Sequence, residues 1–275
     1  MADAPPLVHR ADDRGISTLT LDSPHNRNAL SARLVTELYE GLAAAARDDG
    51  TRAVLLTHTG NTFCAGADLA EAGAAGGAGA ASTAGPEAAP VSGPLGLARL
   101  LRTIVELPKP VLAMVSGHVR AGGLGLLGAC DISVAGPGAS FAFTESRLGL
   151  APAVISMPLL PRLDPRAAAR YYLTGERFDA VEAARIGLVT LATAEEGADG
   201  TAAALAPILD GLRRASPQGL AESKRLVNAE VLRTFDRDTD DLAKQSARLF
   251  ASEEAREGMT AFLERRDPAW SQRPR

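Results

Sequence analysis

Apolar residues recur along this chain at two spacings, and each spacing predicts an element. At 15–22, Leu19 and Leu21 alternate with Thr18 and Thr20, which is the two-residue period of a strand. Ser31 then stands before Leu34, Leu38 and Leu42, a helical stripe with a serine cap, and Gly50 closes it. Three short apolar runs, 53–57, 111–115 and 132–135, read as buried strands. Between them 95–107 reads as an amphipathic helix closed by Pro108 and Pro110. Strands separated by helices predict an α/β layered fold.

After about Pro165 the pattern becomes helical. A helix over 166–174 ends at Gly175, and Asp179 with Glu182 resembles a capping box for one that ends at Gly187. Further helices are expected near 201–215, 217–234 and 236–266. The stretch 70–94 is nearly all Ala, Gly, Ser and Pro, too poor in apolar surface to hold one conformation. It reads as a flexible loop, either beside a site or as a tolerated surface insertion.

Composition narrows the possibilities. The 275 residues suffice for one large domain; 46% are hydrophobic and only 4% aromatic, so small aliphatic residues must build the core. A net charge of −4 argues against a general nucleic-acid binder. The most apolar stretch is broken by Arg99, Arg102, Glu106 and Lys109, so no membrane span is expected. The N-terminus has no apolar h-region of a signal peptide. Cys64 and Cys130 form no CxxC, and a reducing cytoplasm is the expected location. His9, His25, His58 and His118 suggest no metal cluster, and HExxH, GxSxG and P-loop motifs are absent.

Two glycine-bearing turns follow buried strands: FCAGADL at 63–69, and GHVRAGGLG at 117–125. Small residues let a ligand approach the backbone, and free N–H groups there can bind an oxyanion. GLGLLG at 123–128 also fits GxGxxG, which raises a nucleotide oxidoreductase as a rival. That fingerprint should begin at a strand end, whereas residues 117–121 intervene here.

These turns, with NALS at 28–31, KPVLAMVSGHVRAGG at 109–123, FAFTESRLGLAP at 141–152, LTGERFDAVEAARIGLV at 173–189 and GMTAFLERRDPAW at 258–270, resemble the crotonase (enoyl-CoA hydratase/isomerase) superfamily. The resemblance implies a ββα spiral core over 1–195 and a C-terminal helical region over 196–275 that builds homotrimers or homohexamers. It implies an acyl-CoA substrate and no cofactor beyond the coenzyme A of that substrate. The family's two oxyanion N–H groups map onto Ala65 and Gly122. The backbone of Ala65, Gly66, Ala67 and Asp68 would hold coenzyme A, with Phe262 and Arg265 reaching a neighbouring subunit's ligand.

The acid–base residues decide the reaction. Family hydratases use two glutamates; one matches Glu145, while the other should stand at Gly125, which can transfer no proton. One carboxylate could serve hydration, or could move a proton between C2 and C4 as an isomerase does. TESRLGLAPAVIS also resembles methylglutaconyl-CoA-type hydratases, which tips the expectation towards an enoyl-CoA hydratase. A scaffold that binds coenzyme A without catalysis is the remaining alternative. His118 and Arg120 invite a role in binding a substrate carboxylate, or one facing solvent or a subunit contact. Asp68 is expected to cap the next helix.

Overall fold

The alternation at 15–22 builds strand β2 (Ile16–Leu21), whose even partner is a strand the periodicity did not reveal, β1 (Val8–Asp13). The two pair antiparallel across Arg14–Gly15, with Asp13 opposite Ile16. The structure is a computed structural model and describes residues 5–71, 93–195 and 197–271. Most of the expected 70–94 loop lies outside the described residues.

From β2 onward the chain winds as a spiral. Strands β3 (Ala53–His58), β5 (Val111–Val115) and β7 (Ile132–Ala135) lie parallel in a six-stranded sheet of order β1-β2-β3-β5-β7-β10, where β10 is Leu191–Ala192. Each of the three is followed within a few residues by a short strand of a second sheet: β4 (Thr62–Cys64), β6 (His118–Arg120) and β8 (Ser140–Ala142), with β9 (Phe178–Asp179) at its edge. The helices α1 (Ala32–Arg47), α2 (Gly93–Glu106) and α3 (Gly122–Ala129) close successive turns. Ser31 caps α1 as expected, its Oγ accepting the Leu34 N–H.

Alternation decides which side of the first sheet each residue serves. Val54 and Leu56 join the main core with Leu34, Leu38 and Leu42, while Ala53 and Leu55 face a smaller cluster with Ile16, Leu112, Val134 and Leu205. Leu205 belongs to α7 (Gly197–Arg214), numbered after α4 (Ser156–Leu159), α5 (Pro165–Thr174) and α6 (Ala180–Arg185). The helical tail therefore covers the outer face of the sheet.

The later helices are α8 (Pro217–Val227), α9 (Ala229–Phe250) and α10 (Glu253–Glu264). The run expected over 236–266 breaks at Ser252, whose hydroxyl caps α10. The Asp179–Glu182 pair forms half a capping box. Asp179 accepts the Glu182 N–H, but the Glu182 carboxylate turns instead to Tyr171 and Arg185. A buried ion pair ties the tail down: the Lys224 ammonium lies 2.8 Å from Asp131 and donates to the carbonyls of Ile104 and Lys109. Asn228 donates to the other Asp131 oxygen and accepts from Arg162.

Candidate active site

The second sheet sets the site. β4, β6 and β8 are parallel; a register shift between Thr62 and Cys64 sets Cys64 beside Val119, and Arg120 lies beside Ala142. Their C-terminal ends therefore form one edge, and the chain leaving them carries Ala67, Gly122 and Glu145. Ligands collect at such strand ends because the backbone there is unpaired and turning.

The first turn is held from below by Asn28, which is fully buried in a left-handed conformation with φ of 53°. Its amide donates to the carbonyls of Thr59 and Thr62 and accepts the Ser23 N–H. This lock presents the Arg27 carbonyl to the Ala65 N–H at 3.1 Å, and the Leu30 N–H to the Gly66 carbonyl at 2.8 Å. The expectation that Ala65 supplies an oxyanion donor is thereby corrected: its N–H is already committed to Arg27. The Ala67 N–H has no acceptor among the described residues, and Ala67 N would lie 3.7 Å from a Cβ on Gly122.

The second turn reaches the same spot. Ala121 takes φ 45° and ψ −120°, a conformation suited to glycine, and so swings the chain into α3. Gly122 is the first helical residue, and its N–H has no helical acceptor. Gly66, at φ +92°, fits against this turn: a Cβ there would sit 2.8 Å from the Ala121 Cβ and 3.2 Å from Gly122 N. The two glycines thus bring the backbone nitrogens of Ala67 and Gly122 close together, neither N–H with an acceptor among the described residues.

The GLGLLG run is inside α3 rather than in a phosphate-binding turn. Its glycines allow close packing instead. A Cβ on Gly123 would meet Cys64, one on Gly125 would meet Ile155 and Leu101, and one on Gly128 would meet Leu159.

Glu145 opens a single 3-10 turn, Glu145–Leu148, closed by Gly149 in the left-handed region. Its carboxyl is buried, and burial pushes its pKa up to about 7. One oxygen, Oε2, has no hydrogen-bond partner. The turn is clamped by α10, where Gly258 fits against the Leu148 backbone and Gly149 against Glu254. Arg147 latches α5 onto it by donating to the Thr174 carbonyl at 2.9 Å.

The other candidates lie apart from this edge or have other work. Arg120 is spent on β8: its guanidinium donates to the carbonyls of Val119 and Ser140 and to the Ser140 hydroxyl. His118 is exposed and bonds the same hydroxyl. Asp68 accepts the Ala70 N–H and the Asn26 amide, as a helix cap would. Phe262 is 55% exposed near the end of α10, and Arg265 caps that helix at φ 57° with no ion pair among the described residues. Cys64 and Cys130 are buried, which pushes both thiols to about 12. Two neighbours of the site, Ile155 and Tyr172, gave no signal in the sequence.

Comparison with known proteins agrees with this fold. The enoyl-CoA hydratase/isomerase family model matches residues 11–273. A probable enoyl-CoA hydratase of Bacillus subtilis (strain 168) is 32% identical over 95% of this chain and 97% of its own. The 1,2-epoxyphenylacetyl-CoA isomerase of Escherichia coli (strain K12) is 33% identical over 94% of this chain and 96% of its own. The crystal structure of an enoyl-CoA hydratase from Mycobacterium avium is similar with a TM-score of 0.83 and 51% identity, covering 97% of this chain and 100% of that one. The chain belongs to the enoyl-CoA hydratase/isomerase family.

Proposed function

We propose that this protein is an enoyl-CoA hydratase that works with one carboxylate. The thioester oxygen sits between the N–H groups of Ala67 and Gly122. As water adds to C3, negative charge gathers on that oxygen, and fixed donors bind it more strongly in the transition state than in the ground state. The start of α3 adds its positive dipole end. Glu145 takes a proton from the water and returns one to C2. A carboxyl near pH 7 in pKa suits both halves of that exchange. The observation that carries the reading is the buried Glu145 with an unpartnered oxygen, on the strand edge that holds both free N–H groups. The Bacillus and Mycobacterium relatives, a probable enoyl-CoA hydratase and an enoyl-CoA hydratase, support hydration.

A second reading is favoured by one contact. Ile155 and Leu101 fill the space beside Gly125, so aliphatic packing stands where a second acid is expected. An isomerase needs one carboxylate and an apolar wall, and the Escherichia coli relative is named an isomerase. A panel of crotonyl-CoA, 3-methylglutaconyl-CoA and a trans-3-enoyl-CoA, followed for hydration and for double-bond migration, decides between them. Migration without hydration would overturn the hydratase reading. The relatives reported above give no support to a methylglutaconyl-CoA preference, so the acyl group is left to that panel.

A further inference from the structure

The helix α5 carries two adjacent tyrosines with opposite fates. The Tyr171 hydroxyl donates to Glu182 at 2.7 Å. The Tyr172 hydroxyl is shielded from solvent and has no hydrogen-bond partner. A buried hydroxyl without a partner costs stability, so such a group in a folded protein asks for an explanation.

Its position supplies one. The Tyr172 ring packs on Phe143, two residues before Glu145, with centroids 4.5 Å apart. Two residues further along, the Thr174 carbonyl is latched to the Glu145 turn by Arg147. The Glu145 carboxylate is close enough to push the Tyr172 ionisation upward, second only to burial itself. Yet the two groups are not bonded to each other: Glu145 Oε2 is also buried without a partner, as is the Ser146 Oγ beside it. A neutral donor and a carboxylate oxygen are thus both buried and unpartnered, on segments joined by the Phe143–Tyr172 contact. Ile155 packs against Gly125, where the family's second acid is expected.

We infer that Tyr172 is the second water-holding group of this enzyme, its hydroxyl and Glu145 Oε2 together gripping the water that adds to the substrate. This rests on the hydratase reading. In the step, the water oxygen bonds to C3 while the C2–C3 π bond opens toward the thioester. One water proton passes to Glu145, and Glu145 delivers a proton to C2. Tyr172 stays neutral throughout and gives up no proton; it orients a water lone pair toward C3 and prevents the carboxylate from turning away. A phenol can do this where a glycine has replaced a carboxylate, because holding water needs a hydrogen bond and not a charge.

The test is Tyr172→Phe, which keeps the ring on Phe143 and removes only the oxygen. With crotonyl-CoA, kcat/KM for hydration should fall on the order of tenfold to a hundredfold, with coenzyme A affinity retained. The melting temperature should hold or rise, because an unpartnered hydroxyl has been deleted. The acid limb of the pH profile should move to higher pH, since the carboxylate loses a donor acting through water. Tyr172→Leu reports on ring packing and should lower stability as well as rate. Unchanged hydration by Tyr172→Phe overturns the inference. So does a loss confined to acyl chains bearing an oxygen function, which would make the hydroxyl a substrate ligand. If the parent hydrates no enoyl-CoA, the hydratase reading itself fails, and that result is distinct from either.

Discussion

The side chain of Ile155 stands where one on residue 125 would have to grow: a Cβ on Gly125 would lie 2.5 Å from Ile155 Cγ2 and 3.1 Å from Leu101. The missing acid is therefore replaced by aliphatic packing and not by open space. Gly125→Glu should lose at least ~1–3 kcal/mol from overpacking, before any cost of burying its charge. Pairing it with Ile155→Ala should return part of that stability by making room. Thermal unfolding of the single and double variants checks this, and an unchanged melting temperature for the single variant would contradict the packing.

Ala65 and Ala67 differ in what their N–H groups do, and proline separates them. Ala65→Pro breaks the bond to the Arg27 carbonyl and should cost stability by about 1 kcal/mol. Ala67→Pro removes a donor that no described residue uses, so it should lower kcat by about 10²–10³ in a folded protein. Gly122→Pro should behave like Ala67→Pro. Steady-state kinetics beside circular dichroism distinguishes the outcomes; full turnover by Ala67→Pro would remove it from the oxyanion site.

Glu145 should weaken the fold while serving the reaction. Its folded pKa of about 7 lies above the unfolded value of 4.5, so the folded state holds the proton longer. Between those values the folded state binds more protons, and stability falls as pH rises. Below 4.5 both states are protonated and the penalty is absent. Glu145→Gln should therefore be more stable than the parent at pH 8, by up to about 3 kcal/mol, and nearly equal to it at pH 4. The same change should cut turnover by ~10²–10⁴. Denaturant melts at the two pH values, with an activity assay, test both halves.

Lys224 is 5% exposed, and its ammonium finds a carboxylate and two carbonyls. Lys224→Ala strands Asp131 in the interior and should cost ~3–5 kcal/mol. A loss below 1 kcal/mol in urea unfolding would mean that water reaches Asp131.

Phe262, Leu263 and Trp270 are exposed near the C-terminus, at 55%, 64% and 38%. Covering such apolar side chains is what a subunit contact does. Sedimentation at micromolar concentration should give a trimer or hexamer, and Phe262→Asp with Leu263→Asp should shift it toward smaller species. A monomeric parent would leave Phe262 and Arg265 without a neighbouring ligand to reach.

How far the sequence went can be read from particular elements. The strands at 53–58 and 111–115 were legible because runs of buried aliphatics between breakers admit few other structures. Ser31, Asp179 and Gly175 marked helix ends because capping is chemistry between near neighbours. The strands of the second sheet were not, since three residues such as Thr62–Cys64 are too few to show a period. Yet those strands bring Ala67, Gly122 and Glu145 to one edge.

The sequence by itself determined the family, the two small-residue turns, Glu145 and the absence of a second glutamate, all of which reside in residue identity. Tertiary structure decided which N–H groups are free, because Ala65 is engaged by a carbonyl 38 residues earlier, that of Arg27. It also decided what fills the place beside Gly125 and which ring packs on Phe143. Ile155 and Tyr172 come from later segments, and only packing brings them there. Hydrogen bonds and van der Waals contacts act over a few ångströms in space, whereas sequence patterns register neighbours along the chain.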